Sequence, residues 1–307
     1  MRLVTVGSVA FDAIETPFGK TDKIVGGAGT FITLASSIFV KDQGIISVVG
    51  EDFPEQTMKE MRKRGINLDG LQIKKGEKTF FWSGKYHDDM NSRETKVTEL
   101  NVLEHFDPVI PQKYWDCEYL MLGNLSPVVQ RTVIERLPKR PKLIAMDTMN
   151  FWMDVAWDEL MKTIALVDVL IINDDEARQL TKEYTLLKAA SRIKAMGPKF
   201  IIIKKGEHGA LLFYGGRVFV APAFPLEEVF DPTGAGDTFA GGFVGYLAKT
   251  DDLSFENMKR AVIVGSAIAS FSVEKFGTQR LMETSIEDVE QRIEELNTIT
   301  DFEINNL

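Results

Sequence analysis

The chain contains, at residues 231–243, the stretch Asp-Pro-Thr-Gly-Ala-Gly-Asp-Thr-Phe-Ala-Gly-Gly-Phe. Its two carboxylates, Asp231 and Asp237, stand six positions apart, with a Gly-Ala-Gly turn between them and a helical pattern of small residues behind. A helix N-terminus offers free backbone N–H groups and the positive end of the helix dipole, so it attracts anions. Gly234 and Gly236 carry no Cβ, which allows a phosphate to approach their main chain closely. The stretch therefore predicts an anion site at a helix start, with Asp237 in the first turn.

Asp237 has two interpretations from its local sequence. Asp is an ordinary helix-start residue, and an acid in the first turn is favourable without any chemistry. Glycines at 234, 236, 241 and 242, however, raise the conformational entropy cost of this helix by up to ~1 kcal/mol each, which indicates that something lies against its backbone. A general base beside an electropositive cradle is the minimum requirement for phosphoryl transfer to an alcohol. The pattern favours that role for Asp237.

The overall composition is that of an ordinary globular protein. The chain has 307 residues, of which 44% are hydrophobic and 26% charged, enough for a sizeable core. The net charge of −9 is spread along the chain and argues against a general nucleic-acid or membrane surface. Cys117 is the single cysteine, which excludes an internal disulfide and predicts a reducing, cytoplasmic compartment. No segment approaches the ~20 apolar residues of a membrane span, and the three histidines lack zinc-like spacing.

Short β-rich runs alternate with helical patterns over most of the chain. The runs that are apolar on both faces, as in a parallel sheet, are Leu3–Val6, Ile45–Val49, Tyr119–Leu122, Leu143–Met146, Val169–Ile172 and Phe200–Ile203. The amphipathic stretches between and after them include Glu55–Arg64, Val128–Leu137, Asp158–Leu166, Leu186–Met196, Phe255–Val273 and Ile286–Leu296. This alternation predicts an α/β fold with a parallel sheet covered by helices on both faces. Residues 209–221, interrupted by Gly215-Gly216, predict a hairpin.

Residues 71–100 interrupt this alternation. Three short β-like pieces, Gln72–Lys75, Thr79–Trp82 and Glu94–Val97, surround the polar stretch Gly84–Ser92. The segment is too polar for the main core and predicts a small sheet that projects from its edge. Such a sheet is either a lid that excludes water from a reaction or an exposed hairpin with no role.

Four further segments have structural explanations when each is taken alone. Gly26-Gly27-Ala28-Gly29-Thr30 precedes an apolar helical run but lacks the ending of a Walker A loop, so close packing of a helix on a sheet accounts for it. Asp12, after the first strand, is typical of a cap or loop. Asn173-Asp174-Asp175-Glu176 matches a helix capping box. Lys204-Lys205 ends a strand, where lysine is usually solvated.

Taken together, these segments resemble a known family in their order and spacing. Residues 231–243 resemble the second signature of the ribokinase-like, or PfkB, carbohydrate kinases, and the Gly26-Gly27 pair matches the place of the first signature. The resemblance covers nearly the whole chain. It implies an α/β fold that is a ribokinase-like three-layer αβα sandwich, with a mostly parallel central sheet and a small β lid. It also implies a single kinase domain over residues 1–307, with a lid subdomain contributed by about 10–25 and 71–100.

The resemblance implies an activity for the signature stretch. Members transfer the γ-phosphoryl group of ATP to an alcohol, here a hydroxymethyl group of a sugar or ribonucleoside. By this resemblance Asp237 is the general base, and the backbone N–H groups of Gly234, Ala235 and Gly236 form the anion hole for the transferred group.

The acceptor site follows from the same resemblance. Asp12 stands where related kinases bind two acceptor hydroxyls, and Gly26 and Gly27 stand where the family places backbone against the acceptor. A carboxylate that accepts two hydroxyl protons selects for a diol, because an analogue that lacks one leaves a buried charge short of a partner. Asp231 caps the turn, contacts the acceptor or orients the loop near a monovalent cation such as K⁺, and we assign it to the acceptor site.

The resemblance also implies a nucleotide site and a metal site. Lys205, with the Gly-x-x-Gly of Gly206 and Gly209, stands where relatives line the nucleotide phosphates and ribose, and Gly277 is placed to border the adenine. The Asn173-x-x-Glu176 spacing resembles the motif that holds the Mg²⁺ of the nucleotide through water. The implied cofactors are therefore ATP and Mg²⁺. Related kinases often use the lid for dimerisation, so a homodimer is an expected assembly.

The acceptor is left open by one departure from the family pattern. Relatives usually carry Asn where this chain has Phe31, and that Asn commonly bonds a sugar hydroxyl. Phe31 together with Phe80, Phe81 and Trp82 either builds an apolar wall that stacks a nucleobase, as in an adenosine-type kinase, or packs the lid and core. A different class is a non-catalytic nucleotide sensor on the same fold. A Rossmann dehydrogenase is disfavoured because the turn after the first strand lacks the second glycine of its fingerprint.

Overall fold

The computed structural model describes residues 1–301 and 303. Its strands, in chain order, are β1 (Leu3–Val6), β2 (Ala10–Thr16), β3 (Gly19–Lys20), β4 (Ile24–Gly26), β5 (Gln43–Gly50), β6 (Ile66–Lys74), β7 (Phe81–Tyr86), β8 (Arg93–Glu99), β9 (Tyr119–Leu122), β10 (Leu143–Asp147), β11 (Val169–Asn173), β12 (Phe200–Lys204), β13 (Ala210–Tyr214) and β14 (Arg217–Ala221). The helices are α1 (Ala28–Ser36), α2 (Glu55–Lys63), α3 (Pro127–Arg136), α4 (Asn150–Val155), α5 (Trp157–Ile164), α6 (Asp174–Thr181), α7 (Leu186–Met196), α8 (Ala235–Thr250), α9 (Phe255–Ser272), α10 (Gln279–Glu283) and α11 (Ile286–Thr300).

The larger of two sheets has nine strands in the order β14-β13-β12-β11-β10-β9-β1-β5-β6. Neighbours from β12 to β6 are parallel, and the hairpin β13–β14 adds two antiparallel strands at one edge. The predicted buried strands and the predicted hairpin are thereby confirmed. Consecutive residues of one strand pack on opposite faces, since Leu3 and Val4 belong to different core clusters. Burial on both faces explains why these strands are apolar without alternation.

Helices cover both faces of this sheet and complete three layers. On one face α3 to α7 bury residues such as Val133, Leu160 and Ile193. On the other, α1, α8 and α9 bury Ile32, Phe243 and neighbouring side chains, with α2, α10 and α11 beyond them. The predicted α/β sandwich with a mostly parallel sheet is therefore confirmed. Among the described residues, no helix combines the length and the apolar character needed to cross a bilayer.

A second sheet contains β3, β2, β7 and β8 in that order, with β4 paired to β2. We call it the small sheet. Its strands lie within the two segments predicted to form a lid, but the lid prediction was wrong at one end. Gln72–Lys75 was assigned to the projecting sheet, whereas residues 66–74 form β6, the edge strand of the large sheet. β6 contains buried apolar positions only at its start and middle, so its polar end resembles an independent strand in sequence.

The parallel strands bring polar side chains to one edge of the large sheet. Asp147, Asn173 and Lys204 are the last residues of three neighbouring strands, β10, β11 and β12. The carboxyl ends of parallel strands are where open α/β sheets bind ligands. The start of α8 reaches the same edge, because a methyl group on Gly236 would lie 2.8 Å from Lys204 Nζ.

Candidate active site

The start of α8 presents unpaired backbone donors. Gly234 precedes the helix with φ 77°, in the left-handed region that favours glycine. The N–H of Ala235 donates to the Pro232 carbonyl at 3.2 Å, which removes it from the predicted anion hole. Within residues 1–301, the N–H groups of Gly234, Gly236 and Asp237 have no acceptor. These three donors, with the positive end of a sixteen-residue helix, form a surface that is suited to an anion.

Phe31 lies beneath this loop and not on the acceptor surface. Its side chain is 1% exposed, and a methyl group on Gly234 would collide with its ring. Glycine at 234 is thus required by the backbone conformation and by the aromatic ring below it. Of the two alternatives for Phe31, a wall for a base or packing of the lid and core, the structure favours core packing, because the ring is buried in the core.

The carboxylate of Asp237 lies deep in the cleft but keeps part of its surface accessible. Burial, with the nearby charge of Asp147, raises the pKa of Asp237 to about 7, against the opposing effect of Lys204 and Arg93. No hydrogen bond to Asp237 contributes to that pKa. A carboxylate with a raised pKa and no protein partner is free to accept a proton from a bound hydroxyl.

The pair formed by Lys204 and Asp147 was not predicted from the sequence. Lys204 Nζ donates to Asp147 Oδ2 at 2.8 Å, and the two side chains are only 17% and 7% exposed. Burial opposes the charge of Lys204, but Asp147 and Glu176 outweigh it and the pKa of Lys204 is raised. The ammonium group therefore stays charged beside Gly236. The sequence signals were a lysine at the end of one predicted strand, directly before Lys205, and an aspartate directly after another, Leu143–Met146.

Asn173 and Glu176 form a capping box at the start of α6. Asn173 Oδ1 accepts the Glu176 N–H at 2.7 Å, and Glu176 Oε2 accepts the Asn173 N–H at 2.8 Å. Burial, then the charge of Asp147, raises the pKa of Glu176 to about 7. The prediction of a helix capping box is therefore correct. The capping box uses one oxygen of Glu176, and the other oxygen lies near the negative charge of Asp147.

The charges of the cleft fit a divalent cation. The charge of Asp147 acts on both Glu176 and Asp237, while Lys204 and Arg93 are the cations that act on the same two groups. Three carboxylates therefore share two cations, and burial, the largest cause, together with Asp147 raises the pKa values of Glu176 and Asp237. In the described part of the chain, no group of three or more His, Cys, Asp or Glu side chains is arranged to hold a metal directly. The neighbouring carboxylates of Asp147 and Glu176 fit Mg²⁺, which keeps several waters and binds one or two carboxylates together with substrate phosphates.

Asp12, Gly26 and Gly27 are brought together as the resemblance implied. Asp12 is 5% exposed on β2, and a methyl group on Gly26 would collide with its Oδ2. Burial and the charge of Asp231 raise the pKa of Asp12 to about 7, although a hydrogen bond from the Gly27 backbone lowers it. A buried carboxylate with a backbone strand against it is well placed to receive two hydroxyl donors.

Asp231 holds the loop instead of facing an acceptor. It is fully buried, its Oδ1 accepts the Thr233 N–H at 2.9 Å and its Oδ2 accepts the Gly277 N–H at 2.8 Å. Of the alternatives for Asp231, the structure favours capping and orientation of the loop over the assigned acceptor contact. The hydrogen bond from the Gly277 N–H to Asp231 also joins Gly277 to the signature stretch.

Three of the four predicted nucleotide residues, Lys205, Gly206 and Gly209, lie between β12 and β13, whereas Gly277 lies between α9 and α10. Lys205 precedes a short helical turn, Gly206–His208, and its N–H donates to the Gly209 carbonyl at 2.7 Å. Gly209 is buried against the Ala221 carbonyl and closes the hairpin. Gly206 is exposed. Within this turn, Lys205 and Gly206 are accessible to a nucleotide. Gly209 is not, and its role is to shape the turn.

The small sheet closes onto this cleft at two points, and Arg93 of the same sheet reinforces the first of them. Thr233 Oγ1 donates to the Tyr86 hydroxyl at 3.2 Å, which joins β7 to the signature loop. Arg93 Nη1 donates to the same hydroxyl at 3.4 Å. At the tip of the β7–β8 hairpin, Asn91 Oδ1 would lie 3.1 Å from a methyl group on Gly206. The hairpin therefore spans from the acceptor side of the cleft to the nucleotide turn.

Comparison with known proteins identifies the family. The sequence matches the family model described as pfkB family carbohydrate kinase over residues 2–285. It is 30% identical over 253 residues to a cytidine kinase of Thermococcus kodakarensis, a match that covers 80% of this chain and 88% of the relative.

Solved structures show the same fold. The nucleoside kinase of Methanocaldococcus jannaschii, an archaeal member of the ribokinase family, aligns with a TM-score of 0.78 at 20% identity and covers 96% of this chain and 99% of that one. An Escherichia coli protein described as ribokinase II, in complex with ATP and Mg²⁺, aligns with a TM-score of 0.75 at 20% identity, over 96% of this chain and 99% of that one. The ribokinase-like fold implied by the signature stretch is confirmed. The chain is a phosphotransferase that belongs to the pfkB family of carbohydrate kinases.

Proposed function

We propose that this protein transfers the γ-phosphoryl group of ATP to a hydroxymethyl group of a sugar or ribonucleoside, with Asp237 as the general base. The observation that carries the proposal is the geometry at the start of α8. A carboxylate without a protein hydrogen-bond partner stands in the helical turn whose free N–H groups and neighbouring Lys204 form an anion site. The general base and the groups that would bind the phosphoryl group thus lie in the same helical turn.

The reaction needs one proton transfer at this site. As the acceptor oxygen forms its bond to the γ-phosphorus, its proton passes to Asp237 and the bond between that phosphorus and the leaving oxygen of ADP breaks. The raised pKa of Asp237, caused by burial and by Asp147, makes its carboxylate a stronger base than an exposed Asp. The residue is therefore suited to a hydroxyl that becomes acidic only during transfer.

The negative charge on the transferring group requires fixed positive partners. The N–H groups of Gly234, Gly236 and Asp237 point from the helix start, and Lys204 supplies a full positive charge against Gly236. Donors that are in place before the reaction need no reorganisation, which is why such sites lower the barrier. Mg²⁺ would be held by Glu176 through water and would neutralise charge on the nucleotide phosphates.

The acceptor site is completed by the small sheet. Asp12, Gly26 and Gly27 form its floor, and the contacts of Tyr86 and Asn91 with the signature loop and nucleotide turn support a lid role. We interpret the large sheet with its helices as a single kinase domain and the small sheet as its lid. The similar proteins include a cytidine kinase and a nucleoside kinase, which supports an acceptor that carries a ribose.

Arg93→Gln is expected to lower kcat about ten- to a hundredfold, with a smaller change in the KM for Mg-ATP. The charge of Arg93 acts on Asp12, Glu176 and Asp237, and in the part of the chain that the structure describes Arg93 forms no ion pair. An unpaired cation that the lid brings to this cleft is available to the transferring phosphoryl group, and hydrogen bonds to charged groups contribute ~1.5–3 kcal/mol. Steady-state ADP release measures the effect.

The control for Arg93 is Lys96→Gln on the same strand. Lys96 pairs with Glu94 at 2.7 Å on an exposed part of β8 and should retain wild-type kcat. An unchanged kcat in Arg93→Gln would exclude Arg93 from the reaction. Equal losses in both variants would indicate general damage to the lid.

The proposed function is tested by ADP release from Mg-ATP, with and without K⁺, across hexoses, pentoses, phosphosugars and ribonucleosides. One strong acceptor, confirmed by detection of its phosphorylated product, supports kinase activity and shows whether K⁺ contributes. Tight ATP binding without turnover on any acceptor would contradict the proposal and favour a nucleotide sensor. The intact Asp237 and Glu176 argue for turnover.

A further inference from the structure

One face of the small sheet presents the aromatic side chains of Trp82 and Tyr86 to the acceptor cleft. Asp12 on β2 and Trp82 on β7 are register partners in a parallel pair, so their side chains share a face of this sheet. Alternation places Tyr86 on the same face, and its hydroxyl reaches Thr233 of the signature loop. That face therefore looks into the cleft. Phe81 is on the opposite face and packs against a core cluster.

The indole ring of Trp82 lies flat along this face. A methyl group on Gly84, two residues along the strand, would collide with the benzo edge of the ring. At the other edge, Trp82 Nε1 donates to Thr95 Oγ1 on β8 at 3.2 Å. One face of the ring is thus against the sheet, and the other is turned away from it, towards the cleft. The glycine and the hydrogen bond hold the ring in this orientation.

The groups around the ring suit a planar, neutral partner. Thr95 accepts from the indole and keeps its own hydroxyl hydrogen to donate, and Thr98, the register partner of Trp82, adds a second hydroxyl. The Arg93 guanidinium lies over the same ring, 5.6 Å from its centroid, and its positive charge disfavours a cationic partner there. A flat aromatic surface stacks a nucleobase whatever its identity, because every base has a π-face. A free sugar would leave that surface unused.

Asp12 and Trp82 together define the class of acceptor. The carboxylate selects two neighbouring hydroxyls, and the ring beside it, on the adjacent strand, selects a planar group joined to them. We propose that Trp82 is the stacking platform for a nucleobase and that the acceptor is a ribonucleoside, held by its ribose diol at Asp12 and by its base on the indole. This inference rests on the proposed kinase function and specifies its substrate.

The test compares Trp82→Leu and Trp82→Phe with the wild type, using ADP release at saturating Mg-ATP. The acceptors are cytidine, uridine, adenosine, guanosine, inosine and ribose. The wild type should have a higher kcat/KM for at least one nucleoside than for ribose. Trp82→Leu should raise the KM for that nucleoside about 5- to 100-fold with little change in kcat, and Trp82→Phe should recover most of the affinity. The KM for ribose should change much less in either variant.

A matched control separates stacking from loss of any tryptophan. Trp115→Leu changes a side chain that is 41% exposed outside the small sheet, and it should leave every KM unchanged. A wild type that prefers ribose to all nucleosides would overturn the platform while kinase activity stands. Equal increases in the KM for ribose and for nucleosides in Trp82→Leu would also overturn it.

A second measurement keeps the two proposals separable. If no acceptor is phosphorylated, the kinase proposal fails, and the platform is then tested by nucleoside binding alone. Quenching of tryptophan fluorescence by a nucleoside in the wild type, and its loss in Trp82→Phe, would support stacking on Trp82. Identical quenching in the two proteins, or none in the wild type, would refute it.

Discussion

Asp237→Asn is expected to lower kcat by about 10²-fold or more, the scale of removing a general base, while the affinity for Mg-ATP stays near that of the wild type. The amide has nearly the same shape as the carboxylate but cannot accept the acceptor proton. The N–H groups at the start of α8 and Lys204 remain in place, so the anion site is preserved. The change therefore removes the base alone.

The measurement for Asp237→Asn combines single-turnover phosphoryl transfer with nucleotide binding by calorimetry. Its control is Asp175→Asn on α6, an exposed acid whose loss should leave kcat unchanged. Turnover at the wild-type rate in Asp237→Asn would contradict the assignment of the base. A loss of nucleotide binding equal to the loss of kcat would place Asp237 in binding instead of proton transfer.

The pH profile gives an independent check on the same residue. Burial and Asp147 raise the pKa of Asp237 to about 7, and the protonated form cannot act as a base. The wild-type kcat/KM should therefore fall as the pH drops through about 7, by at least one log unit per pH unit below the midpoint. In Asp237→Asn the residual activity should fall less steeply, since Asp12 and Glu176, whose pKa values are also raised to about 7, still titrate in this range. A wild-type profile that is flat from pH 8 to pH 5 would exclude a base with this pKa.

The stability of Asp237→Asn should change in the opposite direction to its activity. A folded-state pKa above the unfolded value means that the native state binds the extra proton, so this group costs stability as the pH rises towards its folded pKa. Asparagine carries no charge to bury. The variant should therefore unfold at a temperature equal to or above that of the wild type at pH 8, which also shows that its loss of turnover is not a loss of folding.

The fold was predictable because the hydrophobic pattern of each segment matches the strand or helix that the segment forms. Strands such as Tyr119–Leu122 are apolar throughout and are buried on both faces, and the helix Leu186–Met196 has the bounds that its amphipathic pattern predicts. The glycines of the signature stretch are unusual enough to indicate an anion site before any coordinates exist. Such local signals do not need the strand order.

Contacts between distant segments were not predictable in the same way. Lys204 and Asp147 are 57 residues apart, and their pairing depends on the order of β10, β11 and β12, which a hydrophobic pattern does not contain. The sequence leaves Phe31 open between a substrate wall and core packing, because an aromatic residue at a glycine-rich helix start is ambiguous between surface and core. Its burial under Gly234 is decided by the approach of α8, about two hundred residues later in the chain.

Lys204→Met is expected to destabilise the protein by ~3–5 kcal/mol, because it leaves a buried charge without its partner. Asp147 is 7% exposed and already stands near Glu176 and Asp237. Without the ammonium group, three carboxylates face one another in the cleft. Unfolding in urea measures the loss, and Lys199→Met, an exposed lysine whose side chain is 72% accessible, should change stability by no more than ~0.5 kcal/mol.

The double change Lys204→Met with Asp147→Asn separates the two roles of the lysine. It removes the uncompensated charge together with its cause, so most of the lost stability should return. The activity should not return, since no cation then lies against Gly236 to meet the transferring phosphoryl group. Recovery of kcat along with stability would mean that Lys204 serves only to neutralise Asp147. A double variant that is stable yet at least tenfold slower than the wild type would instead show that the buried pair holds Lys204 in place for the reaction.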